Sequence, residues 1–171
     1  FLGFRVNNGE YKVMGMAAYG DPVFEDEVLK VIRPNEDGSF SVDMKYLSYH
    51  YSATDSYTKA FEDLFGEPRF PGTKFDPATP EGKRFADVAA SIQKVTEDCL
   101  VGLANRLHQE TQLDHLCMAG GVALNSVANT AILARTPFKT LTVHPAAGDA
   151  GGSLGAALWA WNEVLGRDRN P

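Results

Sequence analysis

Asp149 is a lone acid in "VHPAAGDAGGSLGAAL", a stretch otherwise made almost wholly of small residues. Gly148 and Gly151 flank it closely, and the run follows a β-like segment that ends near His144. A carboxylate among glycines can ligate a divalent cation or organise a hydrogen-bond network, with the bare backbone letting a phosphate or metal come close. The competing reading is an N-cap, a role for which Asp is well suited. A second stretch, "MAGGVALNSVAN", repeats the arrangement. Gly120 and Gly121 permit positive φ between a strand and a helix, and a helix start offers free N–H groups to an anion. Asn125 and Asn129 are expected one turn apart on that helix, with Asn125 near enough to the turn to meet a ligand. The alternative is a tight βα turn with Asn125 at the surface. The spacing is not G-x-G-x-x-G, which disfavours a dinucleotide site.

A third stretch, "NNGEYKVMGMAAYGD", carries Glu10, Lys12 and Gly20. A carboxylate can accept both ribose hydroxyls, and Lys can meet phosphate. An exposed turn followed by an amphipathic helix explains the same residues without a ligand. The histidines fit no metal spacing: His108 and His115 are neither i,i+4 nor part of a zinc pattern, and His50 and His144 stand alone. His144 is expected to serve as a structural hydrogen-bonding residue. Cys99 and Cys117 match neither a metal nor a nucleophile motif.

The elements that must hold these residues follow from periodicity. Residues 1–6 read as a strand, with Asn8-Gly9 as a turn and a small-residue helix after it. Residues 31–50 read as a β-hairpin with Asp37-Gly38 at the tip. Residues 51–81 read as a short helix and then an irregular loop. Between 83 and 112, Phe85, Val88, Ile92, Val95, Cys99, Leu103 and Leu107 recur at steps of three and four, which predicts a helix on the order of 40 Å long. Pro80 and Glu81 mark its start. Two strand–turn–helix units follow, with strands at 115–119 and 139–144 and helices from about 123 and 152. Gly155, Ala156 and Ala157 are expected to pack their helix tightly. Alternating strands and helices imply an α/β fold with sites at the carboxyl ends of the strands. The expected sheet links residues 1–6, 115–119 and 139–144, with the long helix across it.

The 171 residues, 44% hydrophobic and 22% charged with net charge −6, fit one ordinary domain or one lobe of a larger one. No basic stripe points to nucleic acid, and no apolar run approaches a membrane span. Two distant cysteines fit a reducing, cytoplasmic setting. The chain opens on Phe1 rather than Met, inside an apparent strand, so it is expected to be an excised piece, 1–171 forming one domain.

Three segments together, "EYKVMGMAAYG", "AGGVALNSVAN" and "PAAGDAGGSLGAAL", resemble the NodU/CmcH-type O-carbamoyltransferases, in order and in separation. The resemblance covers nearly the whole chain. It implies one lobe of a TsaD-like, actin-like ATPase fold (sugar kinase superfamily), a mixed sheet flanked by helices. It also implies transfer of a carbamoyl group from carbamoyl phosphate, through carbamoyl adenylate made with ATP, to a hydroxyl of a small-molecule or glycan acceptor. Under it Asn125 contacts the nucleotide, Gly120 and Gly121 form the adjoining turn, and Glu10, Lys12 and Gly20 fall in the adenosine-contacting stretch. Asp149, with Gly148 and Gly151 beside it, becomes the metal-binding and catalytic carboxylate. The metal is usually Fe2+, with Mg2+ the alternative. The family's His-x-x-x-His metal pair and its donor-making YrdC-like domain are absent from these residues, so the resemblance is to the second lobe alone, which by itself would be inactive. A sugar- or acetate-type kinase of the same superfamily, and a non-catalytic nucleotide-binding lobe, are the competing readings.

Overall fold

The structure, a computed structural model, describes residues 1–169. Its organising element is the long helix α4 (Pro80–Thr111), capped by the Thr79 side chain, which accepts from the Gly82 N–H, and ended at Gln112 in the left-handed conformation. Proline at the first position needs no N–H partner there, which is why the helix starts where the sequence suggests.

Two apolar clusters form along α4. The first gathers Phe85, Ala86, Val88, Val95 and Cys99 against helix α1 (Glu10–Ala17), helix α2 (Glu25–Val31) and helix α3 (Lys59–Phe65). Phe1 lies edge-on to Phe61, Phe65 and Phe85 with ring centroids 5.4–6.5 Å apart, a favoured aromatic geometry. The second cluster joins Val101 and Ala104 to Leu116, Ile132 and Phe138. Here the predicted stripe fails: Leu103 and Leu107 are 37% and 42% exposed, while Val101 and Ala104 are buried. The second cluster packs on a different face of the same helix, so one straight apolar stripe cannot serve both.

Strands β1 (Ile32–Pro34) and β2 (Phe40–Val42) form the expected antiparallel hairpin, turned at Gly38 with φ +82°. Strands β3 (His115–Met118) and β4 (Thr140–Val143) pair in parallel, His115 opposite Thr140 and Met118 opposite Val143. Helix α5 (Ser126–Arg135) follows β3, and helix α6 (Gly152–Trp159) follows β4. The α/β class holds, and two of the three expected strands, β3 and β4, pair as expected, but residues 1–6 form no strand and do not join them. The physical reason is that their backbone is engaged elsewhere. Phe1 O accepts from the Arg69 N–H (2.9 Å), Leu2 O accepts from the Arg69 guanidinium (3.0 Å), and Gly3 sits at φ +73°. Helix α2 is an addition that periodicity did not reveal.

Helix α6 is apolar yet has no buried residue; Leu154, Leu158 and Trp159 are 43%, 51% and 63% exposed. Gly155, Ala156 and Ala157 are exposed with it, so the tight packing expected of them is not found among the described residues.

Candidate functional site

Parallel pairing of β3 and β4 puts their carboxyl ends side by side, so the loops that follow them meet. The Gly120 N–H donates to Ala147 O at 2.8 Å, tying the first loop to the second. Gly120 adopts φ +98°, ψ 166°, a region that essentially only glycine occupies. A Cβ built at Gly120, Gly121 or Gly148 would find no other atom within 4 Å, so the backbone there is bare and open to a ligand. Gly151 differs. Its Cβ would fall 2.3 Å from Ala146 O, so glycine there serves the tight turn Asp149–Gly151.

Asp149 starts that turn and is exposed; Gly148, not Asp149, occupies the cap position, and no side chain caps either this turn or α6. Among the described residues the Asp149 carboxylate has no hydrogen-bond or ion-pair partner. His144 is turned inward to its own loop, Nδ1 accepting from the Ala146 N–H at 3.0 Å, the structural role expected of it.

Asn125 is not inside the helix but is its cap. Gly121–Leu124 form a short 3-10 turn, and the Asn125 Oδ1 accepts from the Ala128 N–H (3.0 Å) at the start of α5. Its Nδ2 donates to Gln93 Oε1 (2.9 Å) on α4, and Gln93 Nε2 donates back at 3.3 Å. Asn129, which does lie in α5, donates to Ala123 O (2.8 Å), and its buried Oδ1 has no partner among the described residues. Gln93 is the residue that reading the sequence missed. It is one polar residue among many on a long helix, and only folding brings it to Asn125, 32 positions away. Asn125→Ala is accordingly expected to lower stability by about 1 kcal/mol, the usual value of a lost cap. Asn125→Asp, which keeps the cap acceptor, should retain most of that stability in urea titrations.

Glu10 and Lys12 do not join the two loops. Glu10 folds back on the start of α1, its carboxylate accepting from the N–H groups of Asn7 (2.7 Å) and Gly9 (3.0 Å). The backbone N–H of Glu10 itself, helped by those of Asn7 and Gly9, holds that carboxyl below its ordinary value against the opposing effect of burial. Lys12 is exposed, 5.7 Å from the Tyr11 ring. Gly20 abuts α4: a Cβ there would lie 2.1 Å from Ala86 O. The far end of α1 does approach the site, because Met14, Ala17 and Ala18 share a groove of about 260 Å³ with Ala90, Gln93 and Val127. The described residues contain no cluster of three or more His, Cys, Asp or Glu able to hold a metal ion. No helix among them is long and apolar enough to cross a membrane.

Fold and site together define an α/β module with paired, glycine-bared loops at the carboxyl ends of two parallel strands. The family model described as carbamoyltransferase N-terminus matches residues 1–158, and the chain belongs to that family. An uncharacterized protein of Synechocystis sp. is 45% identical over 170 residues, covering 99% of this chain and 27% of the relative. The nodulation proteins NolO of Bradyrhizobium diazoefficiens and NolNO of Sinorhizobium fredii are 31% and 30% identical, covering 92% and 96% of this chain and 26% and 22% of theirs. The chain thus spans about a quarter of the length of the curated relatives it matches.

Proposed function

We propose that this chain is part of an enzyme that uses ATP and carbamoyl phosphate to form carbamoyl adenylate and passes the carbamoyl group to a hydroxyl of a small-molecule or glycan acceptor. The observation that carries the reading is the Gly120–Ala147 link, which uses the Gly120 N–H to bring the two loops together and leaves the bare amides of Gly121 and Gly148 in the loops that carry the Asp149 carboxylate, itself without a partner among the described residues. The acceptor oxygen attacks the carbamoyl carbon, the bond to the adenylate oxygen breaks, AMP leaves, and the hydroxyl proton passes to base or solvent. In this reading the bare amides meet adenylate phosphate, as backbone N–H groups at loop and helix starts do. Asn125, held by Gln93, sets the first loop's geometry and contacts the nucleotide. Glu10, Lys12 and Gly20 would act on adenosine indirectly, through the placement of α1.

An exposed carboxylate among glycines offers hard oxygen ligation, which suits Fe2+ or Mg2+. Asp149 therefore fits one vertex of a metal site whose other protein ligands lie outside these residues. The metal would supply Lewis-acid polarisation. The TsaD-like, actin-like lobe, a neighbouring N-terminal lobe and a YrdC-like domain, and a cytoplasmic location belong to the same proposal.

Incubating the full-length protein with carbamoyl phosphate and ATP tests it. AMP and pyrophosphate formation that requires carbamoyl phosphate is the expected result. ATP converted to ADP would favour a kinase, and nucleotide binding without turnover would leave a binding lobe.

A further inference from the structure

We propose that the cleft between residues 68–76 and the first turn of α4 binds a small oxyanion, a phosphate or a carboxylate, around Arg69. Arg69 is 9% exposed, yet no carboxylate lies within ion-pair distance of it among the described residues. Its guanidinium donates to two neutral carbonyls, Leu2 O at 3.0 Å and Thr73 O, and its carbon lies 5.4 Å from the centre of the Phe4 ring. These contacts fix the orientation of the fork but give it no ion-pair partner, and Nε has no partner either among the described residues. Buried charges are ordinarily paired, and the arginine fork matches oxyanions in particular.

The cleft has a volume of about 280 Å³, enough for a small ligand group. Lys74 lines it as a second cation without an ion-pair partner among the described residues, and Phe70, 80% exposed, stands at its rim. Asp76 and Glu81 line it as well. Asp76 Oδ1 accepts from the Ala78 N–H at 3.0 Å, which engages that carboxylate in its own turn. An oxyanion carried on a hydroxylated molecule suits this mixture, its charge on Arg69 and Lys74 and its hydroxyls toward the acids. From Glu81 to Gln93 the helix rises about 18 Å, so the cleft is distinct from the paired glycine loops, and the inference does not depend on carbamoyl transfer.

Lysine footprinting of the full-length protein tests it without any substitution. Amine labelling of Lys74, read by mass spectrometry, is expected to fall at least about threefold on saturation with inorganic phosphate or acetate, with chloride at equal ionic strength inert and Lys30 unchanged. In Lys74→Gln, calorimetry should show phosphate binding at this cleft weakened by about tenfold, the scale of one charge-assisted hydrogen bond. Equal protection by chloride would overturn the proposal, as would Lys74 labelling that ignores all three anions. A carboxylate from elsewhere in the full-length protein paired with Arg69 would overturn it too.

Discussion

Under the proposed function, Asp149→Asn in the full-length protein is expected to lose carbamoyl transfer by roughly 10²-fold or more, the scale seen when one electrostatic stabiliser is removed from an active site. Stability should stay within about 0.5 kcal/mol, because the residue is exposed and no partner is lost. The structure sharpens the test. Had Asp149 been a cap, Asn would have been the benign substitution and Ala the damaging one. The cap position belongs to Gly148 and no side chain caps the turn, so Asp149→Ala should be as stable as Asp149→Asn. Metal content by elemental analysis and turnover should fall together in both variants. Full turnover with retained metal in Asp149→Asn would remove Asp149 from the chemistry.

Gly20→Ala is expected to cost about 1–3 kcal/mol of stability, the range for forcing an extra methyl into a packed interior. The added Cβ would meet Ala86 O at 2.1 Å and the Asp87 N at 2.6 Å, and both are backbone atoms in mid-helix that cannot swing aside. The same approach positions the Asp21 N–H to donate to Asp87 Oδ1 at 2.7 Å, while Lys83 bridges Asp21 and Asp87. Prying the segments apart would disturb that junction as well. Urea unfolding reads the loss. Unchanged stability would show that the turn at Gly20 and α4 do not pack this closely. A fall in nucleotide affinity much larger than the loss of stability explains would return Gly20 to direct ligand contact.

The substitutions differ in what could be foreseen. Helix α4 is legible because apolar residues at steps of three and four need only the helix's own geometry, and Pro80 marks the start through its own missing N–H. The β1–β2 hairpin is legible through Asp37-Gly38, a local conformational preference. The two βα units, the Gly120-Gly121 turn and the loop around Asp149 are legible for the same reason: each is encoded within a few neighbouring residues. What required the tertiary structure are contacts between distant residues. Gln93 meets Asn125 across 32 positions and turns a presumed helix-face residue into a cap clasped by α4. Arg69 claims the carbonyl of Leu2, 67 positions away, and so residues 1–6 stay out of any sheet although their composition favours a strand. Gly20 looks like part of a ligand loop until Ala86, 66 positions on, is seen against it. By itself the sequence determined most of the helices and turns whose hydrogen bonds close within one turn or one hairpin, because those depend on local backbone preference; the seven-residue α2, too short to show a period, is the exception. Which loops meet, which glycines face ligand and which face a helix, and which charges are left unpaired were decided by packing, because they depend on groups that the chain brings together only when it folds.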